Sequence, residues 1–190
     1  MNIKKKITAA AICLSLLFAA SHSINAQAKA SEIDYKKEFL IASSISAVQT
    51  KYGENLKKAT QAGEEGSITE IYQLFKAGKL IVEITPDAEN EKNIGEITIF
   101  DPSYKNVKGA GIGTSISEFA KIYPDMEIGY TYVSDRFIVQ SSKEKFVQFE
   151  LNPKDYIGNK ETLTTSDWIV LAEKNFIKTA KIKSVRIYGK

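Results

Sequence analysis

Two side chains with versatile chemistry occur once each in this chain of 190 residues, Cys13 and His22. Both lie in an N-terminal stretch with the features of a signal peptide, so we expect the exported protein to contain neither. Their loss excludes disulfide bonds, a Ser-His-Asp triad, a Cys-His nucleophile pair and zinc sites built from cysteine and histidine. The sequence therefore predicts a protein that is not an enzyme and has no catalytic residue, cofactor or metal site.

Carboxylates are the remaining groups that could catalyse a reaction. They occur at Glu64 and Glu65, in the segment 87–91 and at Asp135, without the ligand spacing of a calcium loop. Two carboxylates that converge in a cleft could hydrolyse a glycosidic bond. The alternative function is therefore a carboxylate-dependent hydrolase of envelope glycans.

The signal peptide is predicted over residues 1–28. Lys4, Lys5 and Lys6 precede an apolar run at 7–20, and Ala26-Gln27-Ala28 fits the small-x-small cleavage pattern, with cuts after Ala26 or Ala30 as alternatives. The apolar run is too short for a permanent membrane span. We predict an exported protein, periplasmic or secreted, with no integral span in the mature chain.

The charge balance argues against nucleic acid as a partner. Removing three signal-peptide lysines from 26 basic residues leaves 23, against 23 acidic residues in the mature part. A mature chain with a net charge near zero lacks the excess of basic residues that nucleic-acid binding requires.

The first half of the mature chain reads as a helix followed by strands. Apolar residues recur at three- and four-residue steps up to Tyr52, which predicts an amphipathic helix that stops at Gly53. The segment 59–67 reads as a loop or a ragged edge strand. A hairpin is predicted over 68–87 around Lys76-Ala77-Gly78, and another strand over 94–100.

The second half begins with the glycine-rich segment 108–115, which lacks phosphate-loop spacing and reads as a tight connection into a helix. Ser115 and Glu118 form a capping-box pattern, and Pro124 ends the helix. Strands are predicted over 126–133, 137–141, 145–151 and 182–188. The insertion 155–179 is predicted to hold a short helix around 167–176, with Trp168 as a core residue.

These two series of elements match in order. SISAVQTKYGE corresponds to SISEFAKIYPD, and three strand blocks follow each helix. The predicted fold is α+β, with two tandem units that each pack a short helix on an antiparallel sheet of about four strands. The first unit is placed at 29–102, and the second at 103–190 with the insertion 155–179.

Tandem helix-plus-sheet units in an exported protein, together with the G-x-S-x-x-E helix start at Gly113, resemble the β-lactamase-inhibitor-protein-like fold. That fold is similar to the small outer-membrane lipoproteins of the SmpA/OmlA type. The resemblance covers nearly all of the mature chain. The sequence lacks the two disulfides typical of the inhibitor and a convincing lipobox, so no binding residue is carried over.

An open sheet face is the predicted binding surface. If the helices cover one face, side chains of opposite parity line the other, and tyrosine and arginine are typical of interfaces. A solvated face with cross-strand pairs is the alternative. We expect a non-enzymatic envelope protein that binds another envelope or extracellular protein, as a hydrolase inhibitor or an envelope-assembly accessory. The candidate residues are Tyr130, Tyr132, Gln148, Glu150, Arg186 and Tyr188.

Overall fold

The structure, a computed structural model, describes residues 35–62, 67–164 and 166–189. The predicted signal peptide and the Glu64-Glu65 pair lie outside these residues. Three α-helices occur in the described part: α1 (Tyr35–Glu38), α2 (Ile45–Tyr52) and α3 (Ile116–Ile122). Nine strands complete it: β1 (Leu56–Ala62), β2 (Ile68–Lys76), β3 (Lys79–Pro86), β4 (Ile94–Ile99), β5 (Glu127–Thr131), β6 (Arg136–Gln140), β7 (Val147–Leu151), β8 (Trp168–Leu171) and β9 (Ile182–Tyr188).

All nine strands form one antiparallel sheet in the order β1-β2-β3-β4-β9-β7-β6-β5-β8. The prediction of two tandem helix-on-sheet units in an α+β fold is therefore wrong. Strand β4 pairs with β9, with Ile97 opposite Ile187, so no sheet edge lies between the first and second series of strands. Pairing these strands satisfies backbone groups that separate four-stranded sheets would leave unpaired at an edge.

Several local predictions are confirmed. The hairpin forms between β2 and β3, with Ala77 and Gly78 at its turn in positive-φ conformations. Helix α2 stops at Gly53, and β6 pairs with β7 as expected. Of the predicted segment 59–67, residues 59–62 form the end of an edge strand, β1, which pairs only with β2 among the described strands, and residues 63–66 lie outside the described part.

The prediction of a helix around 167–176 is wrong. Trp168–Leu171 forms strand β8, which pairs with β5, and Glu173–Asn175 is a single 3-10 turn. The run Trp-Ile-Val-Leu consists mainly of residues that favour strands, and the exposed edge of β5 offers it a partner. This strand places Trp168 on the sheet rather than on a helix.

The strand registers sort the side chains into an apolar face and a polar face. Helix α3 packs on the apolar face, where Phe119 contacts Phe149 at 4.8 Å between ring centroids, and Tyr156 and Phe176 contact Phe137 there. Burying each such large apolar side chain stabilises the fold by roughly 1.5–3 kcal/mol. The fully buried members of the apolar face include Leu74, Val82, Ile84, Ile97, Ile99, Val139, Phe149, Leu151 and Val185.

The glycine-rich connection before α3 is tight, as predicted. A Cβ on Gly111 would lie 2.2 Å from the Tyr104 carbonyl oxygen, so only glycine fits this close approach. The Lys105 ammonium donates to the Ile112 carbonyl at 2.7 Å and to Thr114 Oγ1 at 3.0 Å. These bonds hold the connection in place at the start of α3.

Candidate functional site

The polar face of the sheet is the candidate functional site. Its members share the strand parity opposite to the core, and adjacent strands bring them into register. Gln73 lies opposite Glu83, Glu83 opposite Thr98, Thr98 opposite Arg186, and Arg186 opposite Gln148. The face also includes Glu150 on β7 and Ser184 on β9. On β6 and β5 it continues through Arg136, Gln140 and Glu127.

The structure separates the six residues predicted for the binding surface. Gln148, Glu150, Arg186 and Tyr188 lie on the polar face, as expected. Tyr130 does not: it lies on the apolar face, its ring centroid 5.0 Å from that of Phe137. Burial and a 2.8 Å hydrogen bond to Asp135 raise the pKa of Tyr130 to about 12.

Tyr132 lies beyond the end of β5, in the turn that leads to β6, and is 53 % exposed. Strand β5 alternates Ile128 and Tyr130 on its inner side with Glu127, Gly129 and Thr131 on its outer side. The two tyrosines therefore take the parity of Ile128, which is the core parity.

A network of charged side chains occupies the centre of the polar face. Glu150, only 5 % exposed, accepts from Arg136 at 2.9 Å and from the Ser184 hydroxyl at 2.8 Å. Its carboxylate also lies 3.5 Å from the Lys183 ammonium and 3.9 Å from Arg186 Nε. A buried carboxylate is tolerated only with such partners.

Arg186 connects this network to the neighbouring strands. Its Nε donates to Glu96 at 2.9 Å, its Nη2 forms an ion pair with the same carboxylate, and its Nη1 donates to Gln148 at 3.3 Å. The bidentate pair fixes the guanidinium plane, because two parallel hydrogen bonds allow one orientation. Arg186 is therefore held against the sheet, with its side chain 18 % exposed.

Trp168 lies across the polar face near its β8 edge. A Cβ on Gly129 would lie 2.1 Å from Cζ2 of the indole, so the ring rests directly on the glycine. Its Nε1 donates to Glu127 at 3.1 Å, and Gln140 donates to the same carboxylate oxygen at 3.2 Å. These contacts fix an aromatic ring on the polar face of the sheet.

Sequence reasoning missed this ring because it assigned Trp168 to a helix. A signal was nevertheless present at Gly129. A glycine inside a strand often marks close approach by another group, and EIGYT places it between residues that favour strands.

A cleft of about 350 Å³ lies at the end of the polar face where β6 and β7 are joined. Two aromatic rings line it, Phe146 and Tyr188, with their centroids 6.0 Å apart in an edge-to-face arrangement. Phe146 has a φ of 64°, an uncommon conformation for a bulky residue. The polar residues that line the cleft include Asp125, Glu127, Gln140, Ser142, Glu144 and Lys145.

Hydrogen bonds position two of these carboxylates. Asp125 accepts from Ser142 at 2.6 Å and from Ser141 at 3.0 Å, and the Ser142 bond in particular lowers the pKa of Asp125. Glu144 accepts from Asn106 at 3.1 Å and from the Tyr123 hydroxyl. Burial and the bond to Glu144 raise the pKa of Tyr123, so its hydroxyl keeps its proton and continues to donate.

The described residues contain no group of three Asp, Glu, His or Cys side chains arranged to hold a metal ion. Within the same part of the chain, no helix is long and apolar enough to cross a membrane. The polar face and its cleft present hydrogen-bonding groups, charged groups and aromatic rings.

Comparison with known proteins does not assign the chain to a family. No family model matches the chain, and no curated protein matches it, so no family match supports the resemblance to the β-lactamase-inhibitor-protein-like fold. The chain is similar in structure to the uncharacterized protein YfeY from Escherichia coli, with a TM-score of 0.49 and 15 % sequence identity. The similarity covers 70 % of this chain and 81 % of YfeY.

Proposed function

We propose that this protein is a non-enzymatic binding module of the cell envelope or exterior, and that its polar face engages another protein. One observation carries the proposal: a broad sheet face presents fixed arginine, glutamine and aromatic side chains while α3 and the segment around Tyr156 and Phe176 pack on the opposite face. Arginine, tyrosine and tryptophan are the residues that most often dominate interface energy.

The dimensions of the face suit a protein partner. The row from Gln73 to Glu127 crosses seven strands, and neighbouring strands lie about 4.8 Å apart, so the row spans roughly 29 Å. A standard interface buries about 800 Å² on each partner. A partner that covers this row and the adjoining turns would bury an area of that order.

Preorganisation supports the same proposal. Gln73 donates to Glu83 at 3.1 Å, and Arg186 and Gln140 are held by the hydrogen bonds described above. Side chains that are already ordered lose less conformational entropy when a partner binds. The location outside the cytoplasm rests on the predicted signal peptide.

The hydrolase alternative has one observation in its favour, the three carboxylates that line the cleft, Asp125, Glu127 and Glu144. A glycosidase of the common type needs one carboxylic acid whose pKa is raised, so that it can protonate the leaving group. The pKa of Asp125 is instead lowered by its hydrogen bond to Ser142. Asp125 therefore does not fit the role of the acid. We favour binding because of the fixed side chains of the polar face, with inhibition of a hydrolase as a special case of it.

The test uses a variant that blocks the face without disturbing its ion pairs. Replacing Arg186 or Glu150 would leave a half-buried charge unpaired, which by itself destabilises a fold. Gln148→Trp instead adds a bulky side chain at the centre of the face, and Lys121→Trp on the exposed side of α3 is its matched control.

We expect tagged Gln148→Trp to lose the partner that the wild-type protein captures from an envelope extract, while Lys121→Trp retains it. Both variants should keep a melting temperature close to that of the wild type. Equal capture by Gln148→Trp and the wild type would rule out the polar face as the contact surface.

A further inference from the structure

Carboxylates on the polar face and in its cleft differ in their partners. Glu96 and Glu150 are paired with arginine side chains. Glu127 and Glu144, which both line the cleft, accept hydrogen bonds only from neutral donors: Gln140 and Trp168 for the first, Asn106 and Tyr123 for the second. Among the described residues, neither has a lysine or arginine nitrogen within ion-pairing distance.

The cleft therefore has a negative charge that the fold does not compensate. Three carboxylates line it, Asp125, Glu127 and Glu144, against one cation, the exposed Lys145, which gives a net charge of −2. Lys143 lies 4.0 Å from Asp125 and offsets part of that carboxylate's charge. The uncompensated charge is thus concentrated on Glu127 and Glu144.

Aromatic rings accompany this charge. Phe146 and Tyr188 line the same cleft, and the indole of Trp168 is bonded through Nε1 to Glu127. An aromatic face next to a carboxylate attracts an organic cation through two effects, ion pairing and the cation–π interaction. Arginine uses both, because its planar guanidinium stacks on rings and pairs with carboxylates.

We propose that this cleft receives an arginine side chain from the partner protein, with Glu127 and Glu144 as its charged acceptors and the neighbouring rings as its aromatic wall. The inference rests on the proposed function and adds the chemistry of the partner, a protein with an exposed arginine at its contact surface. The cleft lies at one end of the polar face, so one partner can occupy both surfaces.

The experiment titrates the purified protein with acetyl-Gly-Arg-Gly-amide at millimolar concentration. Trp168 is the sole tryptophan of the chain, so its fluorescence and its indole N–H resonance report directly on the site. Two further probes are titrated in the same way: acetyl-Gly-Gln-Gly-amide, which has no charge, and N-acetylglucosamine, which represents a glycan.

We expect saturable shifts of the Trp168 resonance with the arginine peptide alone, and weaker binding at high salt. Glu127→Gln and Glu144→Gln should each weaken binding by about tenfold, the effect of one charge-assisted hydrogen bond. Gln140→Arg, which places a cation beside Glu127, should abolish binding, whereas Gln140→Met should retain most of it. Glu161→Gln, outside the cleft, is the control for loss of a carboxylate.

Absence of shifts with the arginine peptide, equal shifts with the glutamine peptide, or shifts with the sugar alone would each overturn the inference. If Gln148→Trp still loses partner capture while the arginine peptide fails to bind, this inference fails and the proposed function stands. If Gln148→Trp captures the partner as well as the wild type does, the proposed function itself fails.

Discussion

Trp168 and Gly129 form the most specific contact on the polar face at the scale of single residues. The indole lies where a Cβ at position 129 would be, with Cζ2 only 2.1 Å from that point. Strand β5 therefore requires glycine at position 129, because any larger residue there would clash with the indole of Trp168. This close approach gives a direct test of the geometry.

We expect Gly129→Ala to displace the indole and break its hydrogen bond to Glu127, at a cost of about 1–3 kcal/mol through overpacking. The tryptophan emission should shift to longer wavelength as the ring enters solvent. The double variant Gly129→Ala/Trp168→Ala should cost less than the sum of the two single changes, because the clash is absent without the ring. Urea denaturation measures all three variants, and additive costs would contradict the contact.

Alternation along strands predicted the face of Gln148, Glu150, Arg186 and Tyr188 from the sequence. It did not predict the ion pairs among them, because a pairing such as Arg186 with Glu96 depends on which strands are neighbours. Tyr130 was placed on the wrong face because its aromatic ring was read as an interface residue although its parity follows Ile128. The position of Trp168 on the polar face was not predicted, because the apolar residues next to it also fit a helix.

At the scale of elements, α2 and α3 start with the same Ser-Ile-Ser sequence but differ in their caps. Ser115 accepts a hydrogen bond from the Glu118 amide, and Glu118 accepts from the Ser115 amide at 2.9 Å. Ser44 makes no such side-chain bond and contacts the Ser46 hydroxyl at 2.7 Å instead. The difference follows from the residue three positions on, which is glutamate in α3 and alanine in α2.

We therefore expect Ser115→Ala to lower the free energy of unfolding by about 1 kcal/mol, the usual value of an N-cap. Ser44→Ala is the matched control and should have a smaller effect, since it removes no cap bond. Urea denaturation of both variants tests this difference. Equal losses would contradict the capping assignment.

The same cap predicts a dependence on pH. The hydrogen bonds that Glu118 accepts from the Ser115 amide and hydroxyl lower the pKa of Glu118. A lowered folded-state pKa contributes stability that is present above the unfolded value, near 4.3, and lost as pH falls through the folded value. The free energy of unfolding should therefore decrease with acidification below about pH 4.

Glu118→Gln should remove the contribution of Glu118 to this decrease at low pH. Ser115→Ala should reduce that contribution only in part, because it removes the hydroxyl donor while the Ser115 amide, the larger cause of the lowered pKa, remains. Ser44→Ala should leave the decrease as steep as in the wild type. Urea denaturation at a series of pH values provides the measurement, and an unchanged slope in Glu118→Gln would contradict the assignment.

The hairpin, the capping box and the β6–β7 pairing were all predictable because each depends on residues close in the sequence. The strand at Trp168–Leu171 was not, since a short apolar run fits a strand or a helix until a neighbour such as β5 is known. The cleft also escaped prediction, because its walls come from segments far apart in the chain.

At the scale of the whole molecule, the pairing of β4 with β9 makes one sheet of all nine strands. The order of elements along the chain suggested two units, and only this long-range pairing decides between two sheets and one. We expect a single unfolding transition as a result. Trp168 fluorescence and far-UV circular dichroism should give the same midpoint in urea, because a cooperative unit unfolds all its strands together.

Ile97→Ala removes a buried side chain at the β4–β9 pair and should shift both signals equally. Its cost should be about 2–5 kcal/mol, as for other buried isoleucines. Separate midpoints for the two signals would indicate two independently unfolding units and contradict the single sheet.

The most direct test of the central claim places a photo-crosslinking amino acid at one position at a time in the protein expressed in its native cells. Positions 73 and 148 lie on the polar face, and positions 121 and 178 are exposed sites away from it. We predict that light produces the same protein adduct from both polar-face positions and no adduct from the two control positions. Adducts from the control positions alone, or equal adducts from all four, would contradict a partner bound on the polar face.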